Sequence, residues 1–143
     1  KKVFMMIGTN DTFGDYGNKG GIGAGNNMNE AQAKLLGTAR PDGTIEVRNE
    51  GIKNGKNKVT KGKARTTDTP GKLKVTFFIF PAPYKVMELG DNYEWSIVGS
   101  SSPNYLWILS RTPTLPDSVQ VDLLERCKRR GYDIEELIFV PQE

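Results

Sequence analysis

The feature that most constrains this chain is a succession of short segments in which polar and apolar residues alternate. Thr44 to Arg48 alternates in this way, and residues 73–79 repeat the pattern with an apolar residue at every second position. Turn signals separate the segments: Pro-Asp-Gly at 41–43, Asn-Gly at 54–55 and Thr-Pro-Gly at 69–71. We expect Pro81 and Pro83 to end the 73–79 strand. About eight such strands at 8–12-residue spacing are typical of an antiparallel sandwich or barrel. The pattern therefore predicts an all-β fold.

The hydrophobic period changes once, near the carboxyl end. Val119, Leu123 and Cys127 repeat at helical spacing. Residues 114–117 (Thr-Leu-Pro-Asp) form a candidate capping box, and Gly131 follows three basic residues that suit the last turn of a helix. We expect a helix over 115–130 and a short final strand over 137–140.

The strand before this helix is apolar on both of its faces. Tyr105, Trp107, Leu109 and Arg111 share one face, whereas Leu106, Ile108 and Ser110 share the other. Such a strand needs cover on both sides. We expect the barrel interior to cover one face and the helix to cover the other.

Residues 14–27 contain six glycines in fourteen positions. Ordering such a stretch loses much backbone entropy, so we expect a long flexible loop. A phosphate cradle is not indicated, because neither Gly-x-Gly-x-x-Gly nor the P-loop pattern occurs.

The composition excludes several kinds of active site. The chain has no histidine and a single cysteine, Cys127, which removes His-based triads, His-ligated metals and thiolate clusters. Cys127 lies among apolar residues, so we expect it to be buried. The carboxylates are scattered singly, whereas acid–base catalysis needs two positioned groups. We therefore expect no enzymatic activity, no cofactor and no metal.

Positive charge is concentrated between Arg48 and Lys74. Nine basic residues against Glu50 and Asp68 leave a local charge of nine minus two, or +7. This segment is either the solvated face of strands or a contact surface for anionic lipid headgroups or an acidic protein assembly. Nucleic acid is not expected, because the aromatic residues that stack on bases are missing here. The candidate contact residues are Lys53, Lys56, Lys58, Lys61 and Lys63.

Several segments together resemble the lipocalin family, in particular bacterial outer-membrane lipocalins, plant temperature-induced and plastid lipocalins, and apolipoprotein D. They are Arg-Pro-Asp-Gly-Thr-Ile-Glu-Val-Arg-Asn (40–49), Gly-Lys-Ala (62–64), Leu-Lys-Val-Thr-Phe-Phe (73–78), Tyr-Leu-Trp-Ile-Leu-Ser-Arg-Thr-Pro-Thr (105–114) and Gly-Tyr-Asp (131–133). The resemblance covers roughly residues 28–141. It implies an eight-stranded antiparallel up-and-down β-barrel with one carboxyl-terminal helix packed outside and a short final strand. We expect residues 1–143 to form one such domain.

The same resemblance implies roles for individual residues. Trp107 matches a pocket-lining tryptophan, and Arg111 matches an arginine that closes one end of the barrel. Val3 stands where the family has a tryptophan that stacks on this arginine. By alternation, the ligand-binding candidates are Trp107, Leu109, Tyr105, Phe77, Ile79, Val86 and Trp95.

The expected function is the binding and transport or storage of a small hydrophobic ligand: a fatty acid, lysophospholipid or other membrane lipid, or a carotenoid or isoprenoid. The alternative is a non-catalytic subunit of a larger, membrane-bound assembly, docked through the Gly-rich loop and the basic face. A third hypothesis, an enzyme acting on a bound isoprenoid, requires a carboxylate inside the barrel. The resemblance implies a location outside the cytoplasm, in the periplasm, at the outer membrane or in an organelle lumen such as that of a plastid.

Overall fold

The structure, a computed structural model, describes residues 2–9, 31–53, 55–77, 80–101 and 103–140. The Gly-rich stretch 14–27 lies outside these residues. The described strands are β1 (Lys2–Thr9), β2 (Ala31–Ala39), β3 (Ile45–Lys53), β4 (Lys56–Thr66), β5 (Lys72–Phe77), β6 (Phe80–Leu89), β7 (Trp95–Gly99), β8 (Leu106–Ser110) and β9 (Leu137–Phe139).

Strands β2 to β8 pair antiparallel with their neighbours in chain order, and β1 closes the sheet. One edge of β1 pairs with β8, with Phe4 opposite Ser110. Its other edge pairs with β2, with Val3 opposite Leu35, and farther along with β9. Closure leaves no long open edge among the strands that the structure describes. The predicted eight-stranded up-and-down barrel with a final strand is confirmed.

Glycines with positive φ occupy three of the predicted turns. Gly43, Gly55 and Gly71 have φ values of 81°, 68° and 79°. This left-handed region is strained for residues with a Cβ. The Pro-Asp-Gly turn is also closed by a bond from the Arg40 amide to the Thr44 carbonyl, at 2.9 Å.

Pro81 and Pro83, expected to end the 73–79 strand, lie instead inside β6. They pair opposite Thr76 and Lys74 of β5. The two prolines are two residues apart, so they take the same kind of position in the antiparallel ladder. At alternate positions a strand donates no amide hydrogen to a given neighbour, which is where proline is tolerated.

The single α-helix of the described residues, α1, spans Asp117–Arg129, within the predicted 115–130. A short 3-10 helix, Ile134–Glu136, follows it. The predicted capping box is wrong: Pro116 is the N-cap, and no side chain caps the helix. Thr114 is too far from the first turn, and its carbonyl accepts a bond from the Thr112 hydroxyl. The predicted end is confirmed, because Gly131 has φ 94° and donates to the Lys128 carbonyl.

Helix α1 covers the outer face of β7 and β8. Leu123 and Cys127, both 0% exposed, pack against Ile97, Leu106 and Ile108. The prediction that the helix covers one face of β8 is therefore confirmed. The predicted burial of Cys127 is confirmed as well. Among the described residues, no helix has the length and apolar character needed to cross a membrane.

Candidate ligand-binding site

The inner face of β8 carries an aromatic and aliphatic row. Trp107 and Leu109 are buried, with 5% and 6% exposure. The rings of Tyr105 and Trp107 stack with centroids 6.4 Å apart and planes 6° apart. The predicted sharing of one face by these three residues is confirmed, and that face lies opposite the helix.

Residues from neighbouring strands complete this inner cluster. Val98 pairs directly with Trp107 and with Val86 of β6, so the three lie side by side. Val86 was predicted from alternation, whereas four other members were not: Tyr84, Val98, Ile138 and Val140. Tyr84 could have been found, because it lies two positions before Val86. Ile138 and Val140 depend on the pairing of β9 with β1, for which the sequence carries no local signal.

Tyr84 connects the inner cluster to a second one on the same face. It packs against Val98 and Trp107 on one side, and against Val47, Ala64 and Val75 on the other. Burial raises the pKa of the Tyr84 phenol. The two clusters therefore form an apolar stretch of the inner face from Val47 on β3 to Trp107 on β8, with the Tyr84 phenol between them.

Trp95 does not belong to this inner face, contrary to the prediction. It packs with Ile97 and Ile108 on the helix side. The register of β7 places it opposite Ser110, which shares that side. The guanidinium of Arg126 lies over its ring, 5.8 Å from the centroid.

Two further predicted pocket residues are described only in part or not at all. Phe77 ends β5, where its backbone pairs with Phe80; the structure does not describe its side chain. Ile79 lies outside the described residues. Their role in a pocket stays a prediction.

One end of the barrel holds the 40–44, 67–71 and 90–94 turns and is called the lower end. There Thr44 is 5% exposed, although it is polar. Arg111 also lies here, and its Nε donates to the Tyr93 carbonyl at 3.3 Å. Its side chain is exposed, and Tyr93 has a strained φ of 58°. A barrel-closing role for Arg111 stays a prediction.

The register separates the predicted contact lysines into two sets. Lys61 and Lys63 pair with Arg48 and Glu46 and face outward. With Arg65 they line an open depression of about 430 Å³ on the outer surface. Its remaining lining residues are Glu46, Gly62 and Thr76.

The other lysines belong to the inward-facing row or lie at the strand ends. Lys58 pairs with Gly51, which shares the inner face with Val47. Lys56 is two residues before Lys58, so both residues belong to the same face of the strand. Lys53 pairs with Lys56, and its side chain is not described.

Groups that could support catalysis or hold a metal do not converge in the described residues. No three His, Cys, Asp or Glu side chains lie close enough together there to bind a metal ion. The inward-facing rows just described contain no carboxylate. The clusters on these rows present an apolar surface, and the rows hold no acid–base pair beside it.

Comparisons with known proteins agree with this geometry. A family model described as a lipocalin-like domain matches residues 26–142. Temperature-induced lipocalin-1 of Arabidopsis thaliana is 35% identical over 125 residues, which cover 80% of this chain and 67% of that protein. The outer membrane lipoprotein Blc of Vibrio cholerae is 41% identical over 110 residues, covering 73% and 64% of the two chains. Mouse apolipoprotein D is 32% identical over 114 residues, covering 71% and 59%.

Solved structures show the same fold. Lobster apocrustacyanin A1 superposes with a TM-score of 0.74 at 16% identity, over 99% of this chain and 76% of that one. The matched regions of the bacterial lipoprotein and of apolipoprotein D amount to 64% and 59% of their lengths.

Proposed function

Because the chain belongs to the lipocalin family, we propose that it binds a small hydrophobic ligand inside its barrel and transports or stores it. The observation that carries this proposal is the pair of apolar clusters on the inner face, which Tyr84 joins. The pair runs from Val47 through Tyr84 to Trp107. Inner faces lined by aromatic and aliphatic side chains suit flat or chain-like apolar molecules.

The ligand we favour is a single-chain lipid, such as a fatty acid or a lysophospholipid, with a carotenoid or isoprenoid as the second class. Burying about 350 Å² of apolar ligand surface at ~25 cal/mol/Å² contributes at most about 9 kcal/mol. The cost of association reduces this to roughly micromolar affinity. The useful titration range is therefore from below one to some tens of micromolar.

The two tryptophans provide the test. Trp107 lies on the inner face and Trp95 on the helix side. Trp95→Phe leaves Trp107 as the single reporter, and Trp107→Phe leaves Trp95. We expect oleic acid or lysophosphatidylcholine to change the emission of the Trp95→Phe variant and to leave that of the Trp107→Phe variant almost unchanged.

Two results would count against an internal site. The first is no emission change in either variant up to tens of micromolar lipid, with folding verified by circular dichroism. The second is a response confined to the variant that retains Trp95. In a separate measurement, native mass spectrometry of the purified protein would identify the class of any lipid retained from the cell.

We infer that the protein acts by binding and not by catalysis. The absence of a carboxylate from the inward-facing rows of the described residues supports this. An isoprenoid-converting enzyme would use such a group to move protons. Recovery of an added isoprenoid in chemically unchanged form supports the binding role, and conversion of it would refute that role.

The outward basic face supports a second proposed property, association with an anionic membrane surface. Lys61, Lys63 and Arg65 occupy alternate positions of β4 and are all exposed. Each basic group near such a surface contributes about 1 kcal/mol. We expect co-sedimentation with phosphatidylserine-containing vesicles that weakens with salt and with Lys61→Glu plus Lys63→Glu. Equal binding to neutral vesicles would argue against it.

A location outside the cytoplasm, at a membrane, in the periplasm or in an organelle lumen, is part of the proposal. Its support is that one relative is named an outer membrane lipoprotein. Fractionation of cells that express the native gene tests it, and recovery of the protein with cytoplasmic markers would contradict it.

A further inference from the structure

The outer face of the barrel sets like charges directly opposite each other on neighbouring strands. Arg65 of β4 pairs with Lys74 of β5, and Lys72 of β5 pairs with Lys85 of β6. These four residues alternate with inward-facing ones, so they all project outward. Directly opposed like charges in an antiparallel sheet are destabilising. Natural chains break such local rules mainly at functional sites, so this face is a candidate for binding an anion.

The outer depression described above lies beside the first of these pairs. The register places Glu46, Lys63 and Thr76 in one row across β3, β4 and β5. Lys61 and Arg65 flank Lys63 at alternate positions of β4 and line the same depression. All three of these basic residues are exposed. Three cations therefore border one depression of about 430 Å³.

The acidic side chains near this depression already have partners. Glu46, the one acid that lines it, forms an ion pair with Arg40. The charge of Lys63 acts on Asp42, and this carboxylate accepts two hydrogen bonds from Thr44, at 2.6 and 2.9 Å. The three cations that border the depression form no ion pair in the part of the chain that the structure describes. They are therefore available to an anion from outside.

The spacing of the three cations suits more than one phosphate group. Alternate residues of a strand lie about 7 Å apart, so the Cα atoms of Lys61 and Arg65 are about 13 Å apart. A single phosphate is small compared with this span, whereas several phosphates on one polyol can each meet a cation. Thr76 is half-buried beside Lys63, and its hydroxyl can donate to a phosphate oxygen.

We propose that this depression binds a polyol carrying two or more phosphate groups, either as a free molecule or as the headgroup of a membrane lipid. The proposal deepens the membrane association inferred above, because it uses the same face, and it does not depend on the internal ligand. Lys61, Lys63 and Arg65 would donate charge-assisted hydrogen bonds to phosphate oxygens, and Thr76 would donate one more. The bound phosphates would also offset the repulsion between Arg65 and Lys74.

The first test measures binding of inositol 1,4,5-trisphosphate by calorimetry at constant ionic strength. We expect the parent to bind this probe about tenfold or more tightly than inorganic phosphate. Arg65→Gln should weaken the trisphosphate about tenfold, and Thr76→Val about threefold. The matched control is Lys85→Gln. It removes the same charge from the other like-charge pair, outside the depression, and should leave the affinity within twofold.

The thermal stability of the same two variants without ligand is the second readout. Arg65→Gln and Lys85→Gln each remove one member of a like-charge pair, so each should raise Tm by about 1–4 °C. Only Arg65→Gln should also lose affinity for the trisphosphate. Weaker binding by a more stable protein would support the site, since unfolding could not explain the loss. A lower Tm in both variants would contradict the repulsion on which the proposal depends.

Vesicles separate the two sources of the phosphorylated polyol. Phosphatidylinositol 4,5-bisphosphate vesicles are compared with phosphatidylserine vesicles of equal surface charge. Tighter binding to the former, reversed by free trisphosphate, would assign a lipid headgroup. Binding of the free probe without preference between the vesicles would assign a free phosphorylated polyol.

The remaining outcomes distinguish this site from general membrane association. No binding of the free trisphosphate, or equal weakening in Arg65→Gln and Lys85→Gln, would refute the phosphate site. Association with both kinds of vesicle in that case would leave the membrane association standing as an effect of net charge. Binding of the free probe without binding to either kind of vesicle would refute the membrane association and support the site.

Discussion

Glu88 of β6 accepts a hydrogen bond from Arg126 of α1, with 2.8 Å between Oε1 and Nη1. Its second oxygen accepts from Arg130 Nε at 3.0 Å. Arg126 also donates to Asp122 at 2.9 Å and covers the Trp95 ring. One half-buried carboxylate thus joins the last turns of the helix to the barrel wall, next to the apolar contacts of Leu123 and Cys127.

The first prediction concerns the strength of this connection. Glu88→Gln keeps the side-chain shape but removes the charge that both guanidinium groups share. We expect a loss of about 1 kcal/mol in the free energy of unfolding, or roughly 3 °C in Tm, because partly exposed ion pairs contribute modestly. Glu125→Gln, an exposed change on the same helix, is the control for net charge. Equal effects of the two changes on urea unfolding would show that the contact does not stabilise the fold.

The second prediction is the pH dependence of that contribution. The hydrogen bond from Arg126 is the main cause that holds the pKa of Glu88 below its ordinary value of 4.5, and Arg130 adds to it. A carboxyl whose pKa is lower in the folded state stabilises the fold above its unfolded pKa. That stabilisation is lost as the pH falls through the folded pKa.

The Tm difference between the parent and Glu88→Gln should therefore be constant from pH 7 to about pH 5.5 and shrink below pH 4.5. Calorimetry at constant ionic strength measures it. A difference that stays unchanged down to pH 3 would contradict the assignment to Glu88.

The third prediction compares two apolar residues of α1. Leu123 is 0% exposed beneath the helix, whereas Val121 is 67% exposed on its far side. Leu123→Ala should cost about 2–5 kcal/mol, because it leaves a cavity between the helix and β7–β8. Val121→Ala should change the free energy of unfolding by about 0.5 kcal/mol at most. Similar costs in chemical denaturation would mean that the helix packs on another face.

The fourth prediction concerns the thiol of Cys127. Burial, and then the nearby charge of Glu88, raise its pKa to about 11. The thiolate is the reactive form, so the folded protein should resist a disulfide reagent at pH 8. The same protein in guanidinium chloride should react fully within minutes. Rapid modification of the folded protein would show that the helix opens far more often than this packing implies.

Local chemistry made part of the fold predictable. The turns at Gly43 and Gly71 follow from positive φ, which glycine adopts without strain. The end of α1 at Gly131 follows for the same reason. The shared face of Tyr105, Trp107 and Leu109 follows from the two-residue repeat of a strand. These features depend on neighbours in the sequence alone.

Other features depended on register or on contacts between distant segments. Alternation could not place Trp95, because its face is set by pairing with Ser110 across the sheet. The helix start was predicted from the composition of 114–117, yet the chain there turns without a side-chain cap. Pro81 and Pro83 look like strand breakers but are tolerated by their position in the ladder.

The sequence by itself therefore determined that this chain forms strands in this order, a late helix and an aromatic row on β8, because backbone propensity and side-chain period are local properties. Only the tertiary structure decided which lysines face inward, that Glu88 meets Arg126 across 38 residues, and that Ile138 and Val140 join Trp107. These relations arise when the sheet closes, since closure fixes one register among the several that alternation allows.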